Sequence, residues 1–525
     1  MSNKRRVRQH RDTRAGVRPW SPFAPDDDVI ERIDGLSPKF VARGYQPRTG
    51  STEPLPLSNM QLLIGITSSK IFWDLVADAE LIASPKFAMG RPRQHNMAGL
   101  VLAEFGAWIF GSIRATFREF EDPQQWENLC RSLIKNHPTD KRLRLPPKPP
   151  SRSSYYTRRK KDLEYQYVVD QVRLRCTEFA MSVARHIGLF DITKGTMTHP
   201  DLRNVIYGDG TFVQSPFNEL HPTDHVDPET AVITRRRCDP DATAWHQDGG
   251  TNGRVWVMAS ARNGATNERV ILDLSPRPKF GTSDATVFTD MVLKLTKRLP
   301  AAQCAVYDMA FGGIHADQVL FAGLLPITKI ALRAGSLSSM RQLGPHPFKT
   351  STRTTEQLPI EAIGGTPAIF VVFEGERIQI DLEMRKLDRE ANRGDGYRIY
   401  GTWRIPDRPE VPRRLRGATT RIRHNSTREE IAEDRRRTRA LRAIAPGTDA
   451  FNELFGIRED AESMHNHLKS RLINRRARST GVIRQQLNLH AYQALTAIKA
   501  LIAHSIRTGA PLDEFFGNWR PPDKT

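Results

Sequence analysis

The chain has 525 residues, with 79 Lys and Arg against 59 Asp and Glu, a net charge of +20 and 38% hydrophobic residues. That length suits two or three domains of a globular protein. No apolar run is long enough for a membrane span, and the basic N-terminus lacks the apolar core of a signal peptide. Four scattered cysteines, Cys130, Cys176, Cys238 and Cys304, form no CxxC pair, which argues against a zinc finger or disulfide framework and fits a reducing cytosol.

Positive excess of this size favours a polyanionic partner, because phosphates binding to Lys and Arg release condensed counterions. Residues 1–57 read as a basic, largely disordered arm, with Lys4, Arg5, Arg6, Arg8, Arg11, Arg14 and Arg18 against the single acid Asp12 in the first two dozen positions. Residues 58–140 carry apolar side chains at helical spacing, interrupted at Gly90-Arg91-Pro92-Arg93. Helices over Asn96–Phe110 and Ser112–Phe120, joined at Gly111, make a helical DNA-binding domain the expectation here. Residues 141–161 are Pro-rich with nine basic residues and no acid, the composition of an extended, semi-rigid linker. A linking helix over Asp162–Ile187 dominates residues 162–200.

From Val205 the pattern becomes β-rich. Val205-Ile206-Tyr207, Arg254–Ala261 and Arg269–Leu274 read as strands, Asp284–Leu299 as helix, Ala305-Val306-Tyr307 as strand, Ile314–Leu324 as helix and Leu325–Leu332 as strand. Three strands, helix, strand, helix, strand is the order of a ribonuclease H-like α/β core, a mixed sheet flanked by helices. This core is assigned to residues 201–332 and 451–480. A β-rich insertion with a basic segment, residues 333–450, divides it, including a hairpin over Thr366–Arg385 that turns near Glu374-Gly375 and a strand over Tyr397–Ile405. Residues 481–525 form a helical tail.

Two acids stand just beyond β-like runs: Asp209 in Gly208-Asp209-Gly210-Thr211 and Asp308 in Asp308-Met309-Ala310-Phe311. In this strand order their strands are neighbours, so both carboxylates point to one sheet edge. Gly208 and Gly210 would leave room for a nucleic-acid backbone, and Thr211 offers a supporting hydroxyl. Further on come Phe455, Arg458, Glu462 and Lys469. On a helix Arg458 and Glu462 share a face four residues apart, and Lys469, seven beyond, returns to it. The bland alternatives are turn or cap aspartates and a solvated ion pair. His465-Asn466-His467 belongs to the same helix rather than to the hairpin of a nuclease motif.

The pattern of an aromatic residue, two residues, Arg, three residues, Glu, six residues and Lys resembles the signature of a group of DDE transposases of bacterial insertion sequences. That group carries a β-rich insertion before its catalytic Glu. The resemblance spans roughly Val205 to Leu472 and departs at Phe455, where the group usually has Tyr. It implies that Asp209, Asp308 and Glu462 are catalytic and ligate two Mg²⁺ ions, with Mn²⁺ as substitute. Arg458 and Lys469 would hold phosphates of the transposon end, Arg471 and Arg475 would contact DNA beside them, and Thr211 and Phe455 would support the site. Trp403 is the candidate to stack on a flipped base. The implied reaction cuts one DNA strand with water and uses the resulting 3′-hydroxyl to attack a second phosphodiester.

Transposon ends and target, both double-stranded DNA, are the implied partners. Synapsis of two ends implies a homo-oligomer, and the expected location is the cytoplasm, on the nucleoid, with no membrane. Two other readings are a ribonuclease H-like nuclease without strand transfer and a transposase-derived DNA-binding protein without catalysis. The presence of all three acids disfavours the last.

Overall fold

The computed structural model describes residues 55–83, 97–136, 145–228, 231, 233–245, 251–264, 267–278, 281–330, 340–392 and 396–521. The basic arm up to residue 54, the Gly90–Arg93 break and the opening of the proposed linker lie outside the described residues.

The N-terminal half is helical: α1 (Asn59–Ser68), α2 (Lys70–Ala83), α3 (Met97–Ile109), α4 (Ile113–Glu121), α5 (Pro123–Asn136), α6 (Arg152–Arg158) and α7 (Gln166–His186). Side chains that satisfy the free backbone amides at helix starts mark several boundaries. Ser58 and Gln61 close a reciprocal capping box on α1, and Ser112 caps α4. α3 and α4 meet at 114° around Gly111, whose φ of 91° suits glycine.

Every residue of α3 is buried. α3 is thus a core helix of this helical region, with no exposed face of its own. Its apolar sequence is spent on packing against α1, α2, α4 and the C-terminal helix over Val482–Thr508, where Trp108 donates through Nε1 to the Asn488 carbonyl at 2.6 Å. Among the described residues no single helix is long and apolar enough to cross a membrane.

The expected extended linker is also corrected. Ser151 caps α6, which runs into one π-type turn at Arg159–Leu163. Tyr155 and Arg159 are buried there, and Arg159 lies 3.1 Å from Glu104 and donates to Asn488 Oδ1 at 3.2 Å. A buried carboxylate thus draws in one of the basic residues that composition alone reads as solvated.

The central sheet contains β1 (Val205–Gln214), β4 (Thr243–Trp245), β5 (Thr251–Arg262), β6 (Arg269–Pro276), β7 (Cys304–Val306) and β8 (Leu325–Ile327), with a separate hairpin of β2 (Thr223–Val226) and β3 (Ile233–Arg236). Across the sheet the order is β6, β5, β1, β7, β8, with β4 sharing the outer edge of β5. β5 runs antiparallel to β1 and β6, whereas β1, β7 and β8 are parallel. Helices α8 (Asp284–Thr296) and α9 (Gly313–Phe321) make the parallel crossovers. The result is a mixed α/β protein.

Between β8 and the C-terminal helices lies a second, seven-stranded antiparallel sheet. It comprises β9 (Met340–Lys349), β10 (Thr355–Ile363), β11 (Thr366–Phe373), β12 (Glu376–Asp381), β13 (Glu383–Asn392), β14 (Gly396–Arg404) and β15 (Thr419–Arg423), in the order β12, β11, β10, β9, β15, β14, β13. The β11–β12 hairpin turns at Glu374 and Gly375, both at positive φ, the two-residue geometry that matches strand twist. This sheet has its own apolar core around Phe348, Ile360, Ile380, Trp403 and Ile422. After it come α10 (Arg428–Ala432), α11 (Asp449–Gly456), α12 (Arg458–Ser470), α13 (Val482–Thr508) and α14 (Asp513–Phe516).

The two faces of the central sheet are covered differently. Tyr207 reaches Met464 of α12 on one face, while a Cβ at Gly208 would run into Phe288 of α8 on the other. Alternation along β1 therefore turns residues 207, 209 and 211 towards α12.

Candidate active site

The parallel register of β1 and β7 pairs Val205 with Cys304, Ile206 with Ala305 and Tyr207 with Val306. Two residues on, Asp209 is still within β1, whereas Asp308 lies two residues past the end of β7. Alternation along β1 puts Asp209 on the α12 face, and Asp308, in the turn after β7, is near enough for its charge to raise the Asp209 carboxyl. Asp209 is largely buried and accepts the Gly210 amide at 2.8 Å. Asp308 opens the turn after β7: its carboxylate accepts the Ala310 amide at 2.8 Å, and its carbonyl accepts the Thr328 hydroxyl at 2.7 Å.

α12 brings the third acid. Arg458 opens this helix, with Nη2 3.3 Å from Asp209 Oδ2 and Nη1 3.2 Å from Glu462 Oε1. One guanidinium thus bridges the central strand and the helix. Burial pushes the Asp209 carboxyl up to about 6; Arg458 and the Gly210 amide pull it down, and the nearby charges of Asp308 and Glu462 push it further up. Two turns along α12, Lys469 lies half-buried on the same stripe. His465 between them is buried, and its imidazole is held down to about 3 by burial, then by Lys469 and Arg458.

Phe455 falls on α11, across the helix break from Arg458. Its ring stacks on Phe451 at 5.3 Å, and Lys329 Nζ lies 5.1 Å above it. Thr211 is buried on the Asp209 face with its hydroxyl unpartnered. Arg471 caps the C-terminus of α12 and is exposed, as is Arg475, which follows Asn474 in left-handed backbone at φ 58° and 52°.

Two expectations are corrected at this site. The space beside Gly208 and Gly210 is not held open for a nucleic-acid backbone. A Cβ at Gly208 would lie 2.5 Å from the Met258 carbonyl, and one at Gly210 would lie 2.8 Å from Asp284 Oδ2, so both glycines admit this protein's own α8 and β5. Trp403, the candidate for stacking on a flipped base, is 2% exposed in the core of the second sheet. Its ring has no face to offer DNA there, because inward alternation on β14 places it with Ile399 and Gly401.

Two residues near the acids escaped the sequence reading. Asp284, first residue of α8, lies beside Gly210, and its charge, with those of Asp209 and Asp308, pushes the buried Tyr307 hydroxyl up after burial itself. It follows the capping Ser283, so sequence marks it as a helix-start acid only. Lys329 follows β8, where sequence suggests continued strand.

Asp209, Asp308 and Glu462 all offer hard carboxylate oxygens, the donors that Mg²⁺ prefers, so the donor set fits such an ion. Among the described residues, however, no three His, Cys, Asp or Glu side chains stand close enough to hold one. Arg458 occupies the space between two of the three. No protein-family model matches the chain, and no curated protein matches it.

Proposed function

We propose that this protein is a metal-dependent DNA-cutting and DNA-joining enzyme of the DDE transposase kind, built on a ribonuclease H-like core. The observation that carries this reading is the approach of three sequence-distant groups: Asp209 on β1, Asp308 just past the end of the neighbouring β7, and Glu462 tied to Asp209 through Arg458. Strand order gives further support, since an antiparallel β6–β5–β1 unit followed by parallel β7 and β8 is the arrangement expected of a ribonuclease H-like sheet. The antiparallel insertion between β8 and α12 agrees with the group whose signature Phe455, Arg458, Glu462 and Lys469 resemble.

In this reading Asp209, Asp308 and Glu462 hold the divalent ions. Such ions, when bound, activate the attacking oxygen and stabilise the leaving one. Arg458 and Lys469 contribute cations along one helix face, where they hold and orient phosphates; Arg471 and Arg475 extend that positive surface past the end of α12. The net charge of +20 draws DNA to the protein without reading its sequence.

A cleavage and joining assay on DNA with Mg²⁺, comparing wild type with Glu462→Gln, tests the proposal. The variant should keep DNA binding and lose cutting; equal activity would refute the assignment. The separation of Glu462 from Asp209 by Arg458 favours a second reading, a DNA-binding protein that does not cut. DNA binding without cleavage by the wild type would establish it.

A further inference from the structure

Arg458 stands between two of the carboxylates on which the proposed reaction depends. Its Nη2 lies 3.3 Å from Asp209 Oδ2 and its Nη1 3.2 Å from Glu462 Oε1. A guanidinium is a planar fork whose separate N–H groups can serve two acceptors at once, which a point-charge ammonium does less well. Asp209 is fixed on the central strand and largely buried, so its negative charge needs a counter-charge or a proton. Glu462, half-exposed on α12, faces the same guanidinium from the next turn of the helix. Arg458 therefore neutralises a site that otherwise gathers Asp209, Asp308 and Glu462.

We propose, resting on the metal-dependent reading above, that Arg458 is the internal counter-cation of the carboxylate site and must leave it before Asp209 and Glu462 can share a divalent ion. A guanidinium and a divalent ion brought to the same carboxylate oxygens repel each other, so the two cations compete for Asp209 and Glu462. A DNA phosphate is the natural acceptor for the released guanidinium, because its paired oxygens match the fork as a carboxylate does. Arrival of DNA and loading of metal are then linked events, each raising the affinity of the other by the same factor. A protein without DNA keeps its hydrolytic centre disarmed.

The test measures Mn²⁺ binding to the full-length, DNA-free protein at about pH 8, where Asp209 is ionised, by the electron paramagnetic resonance of free Mn²⁺. Arg458→Met keeps the length of the side chain and removes its charge; it should bind Mn²⁺ about tenfold more tightly than wild type. Arg458→Lys, which retains a charge but not the fork, should fall between them. Adding Glu462→Gln to Arg458→Met should abolish the gain. Should the Met and Lys variants bind no more tightly than wild type while Asp209→Asn weakens binding, the counter-cation role is wrong and the metal site stands. Should neither Asp209→Asn nor Glu462→Gln change Mn²⁺ binding in any background, the metal reading and this inference fall together. Circular dichroism of each variant identifies any that does not fold, and Arg458→Lys carries the test if Arg458→Met is among them.

Discussion

Arg262 and Asp460 form a buried ion pair, with Arg262 Nη1 at 2.5 Å and 2.7 Å from the two carboxylate oxygens. Arg269 joins them, donating to Asp460 at 3.1 Å and to Ser463 at 2.8 Å. This ties α12 to the ends of β5 and β6 from the turn that also carries Arg458 and Glu462. Removing one member of a buried charge group leaves the rest uncompensated, so Asp460→Ala should lower stability by about 3–5 kcal/mol. Urea unfolding measures it; a loss below about 1 kcal/mol would show the arginines to be solvated after all.

A second prediction concerns pH. Asp209 has its carboxyl raised from the ordinary 3.8 to about 6, chiefly by burial. An acid raised in the folded state holds its proton more tightly there, so its contribution to stability is complete below pH 3.8 and disappears as pH climbs through about 6. The neutral variant Asp209→Asn should thus be more stable than wild type at about pH 8 without divalent ions, by up to about 3 kcal/mol. The two should converge as the pH falls to about 4. Thermal melts across that range check this, and parallel curves would contradict it.

The tight fit of α8 on β1 gives a third. Gly208→Ala would push a methyl into Phe288 and the Met258 carbonyl, neither of which can retreat within a packed sheet. A cost of about 1–3 kcal/mol or more is expected. Gly456, in α11 with open space around it, is the control: Gly456→Ala should be neutral or stabilise by up to about 1 kcal/mol through helix propensity. Equal melting temperatures for the two variants would overturn the steric account.

Trp403 supplies the fourth. Its ring is buried and its Nε1 has no acceptor. Trp403→Phe keeps most of the apolar surface and removes an unsatisfied donor, so the change should cost less than about 1.5 kcal/mol. DNA processing should be unaltered. Selective loss of cutting or joining in a folded Trp403→Phe protein would return this ring to the DNA.

Local signals in the sequence carried much of this architecture. Apolar runs at 205–207 and 305–307 located β1 and, one residue late, β7, and helical periodicity located α8, α12 and α13, because those elements bury a continuous stripe. The turn near Glu374-Gly375 was legible because Gly375 accepts positive φ without steric cost; the positive φ of Glu374 was not. Strands β9, β10 and β13 were not, being half-exposed and rich in charged residues, so that neither hydrophobicity nor clean alternation marks them. Burial of Arg159 and Arg262 was likewise invisible: a basic residue looks solvated until its acid partner, far away in sequence, is placed beside it. At the site, the order and spacing of Asp209, Asp308, Arg458 and Glu462 could be read directly. The bridging of two acids by Arg458 could not, since it depends on the distance between a strand and a helix 249 residues apart.

The position of the second sheet within the chain has a consequence for biosynthesis. A growing polypeptide released as far as β8 already contains both aspartates and the parallel strands beside them. It lacks α12 until β9 to β15 have emerged and α11 has followed. Domains form largely as they leave the ribosome, and contacts of wide sequence separation close late. Completion of the acidic trio is therefore deferred to the last stage of synthesis, and a prematurely terminated chain carries two of its three acids without the helix that supplies the third.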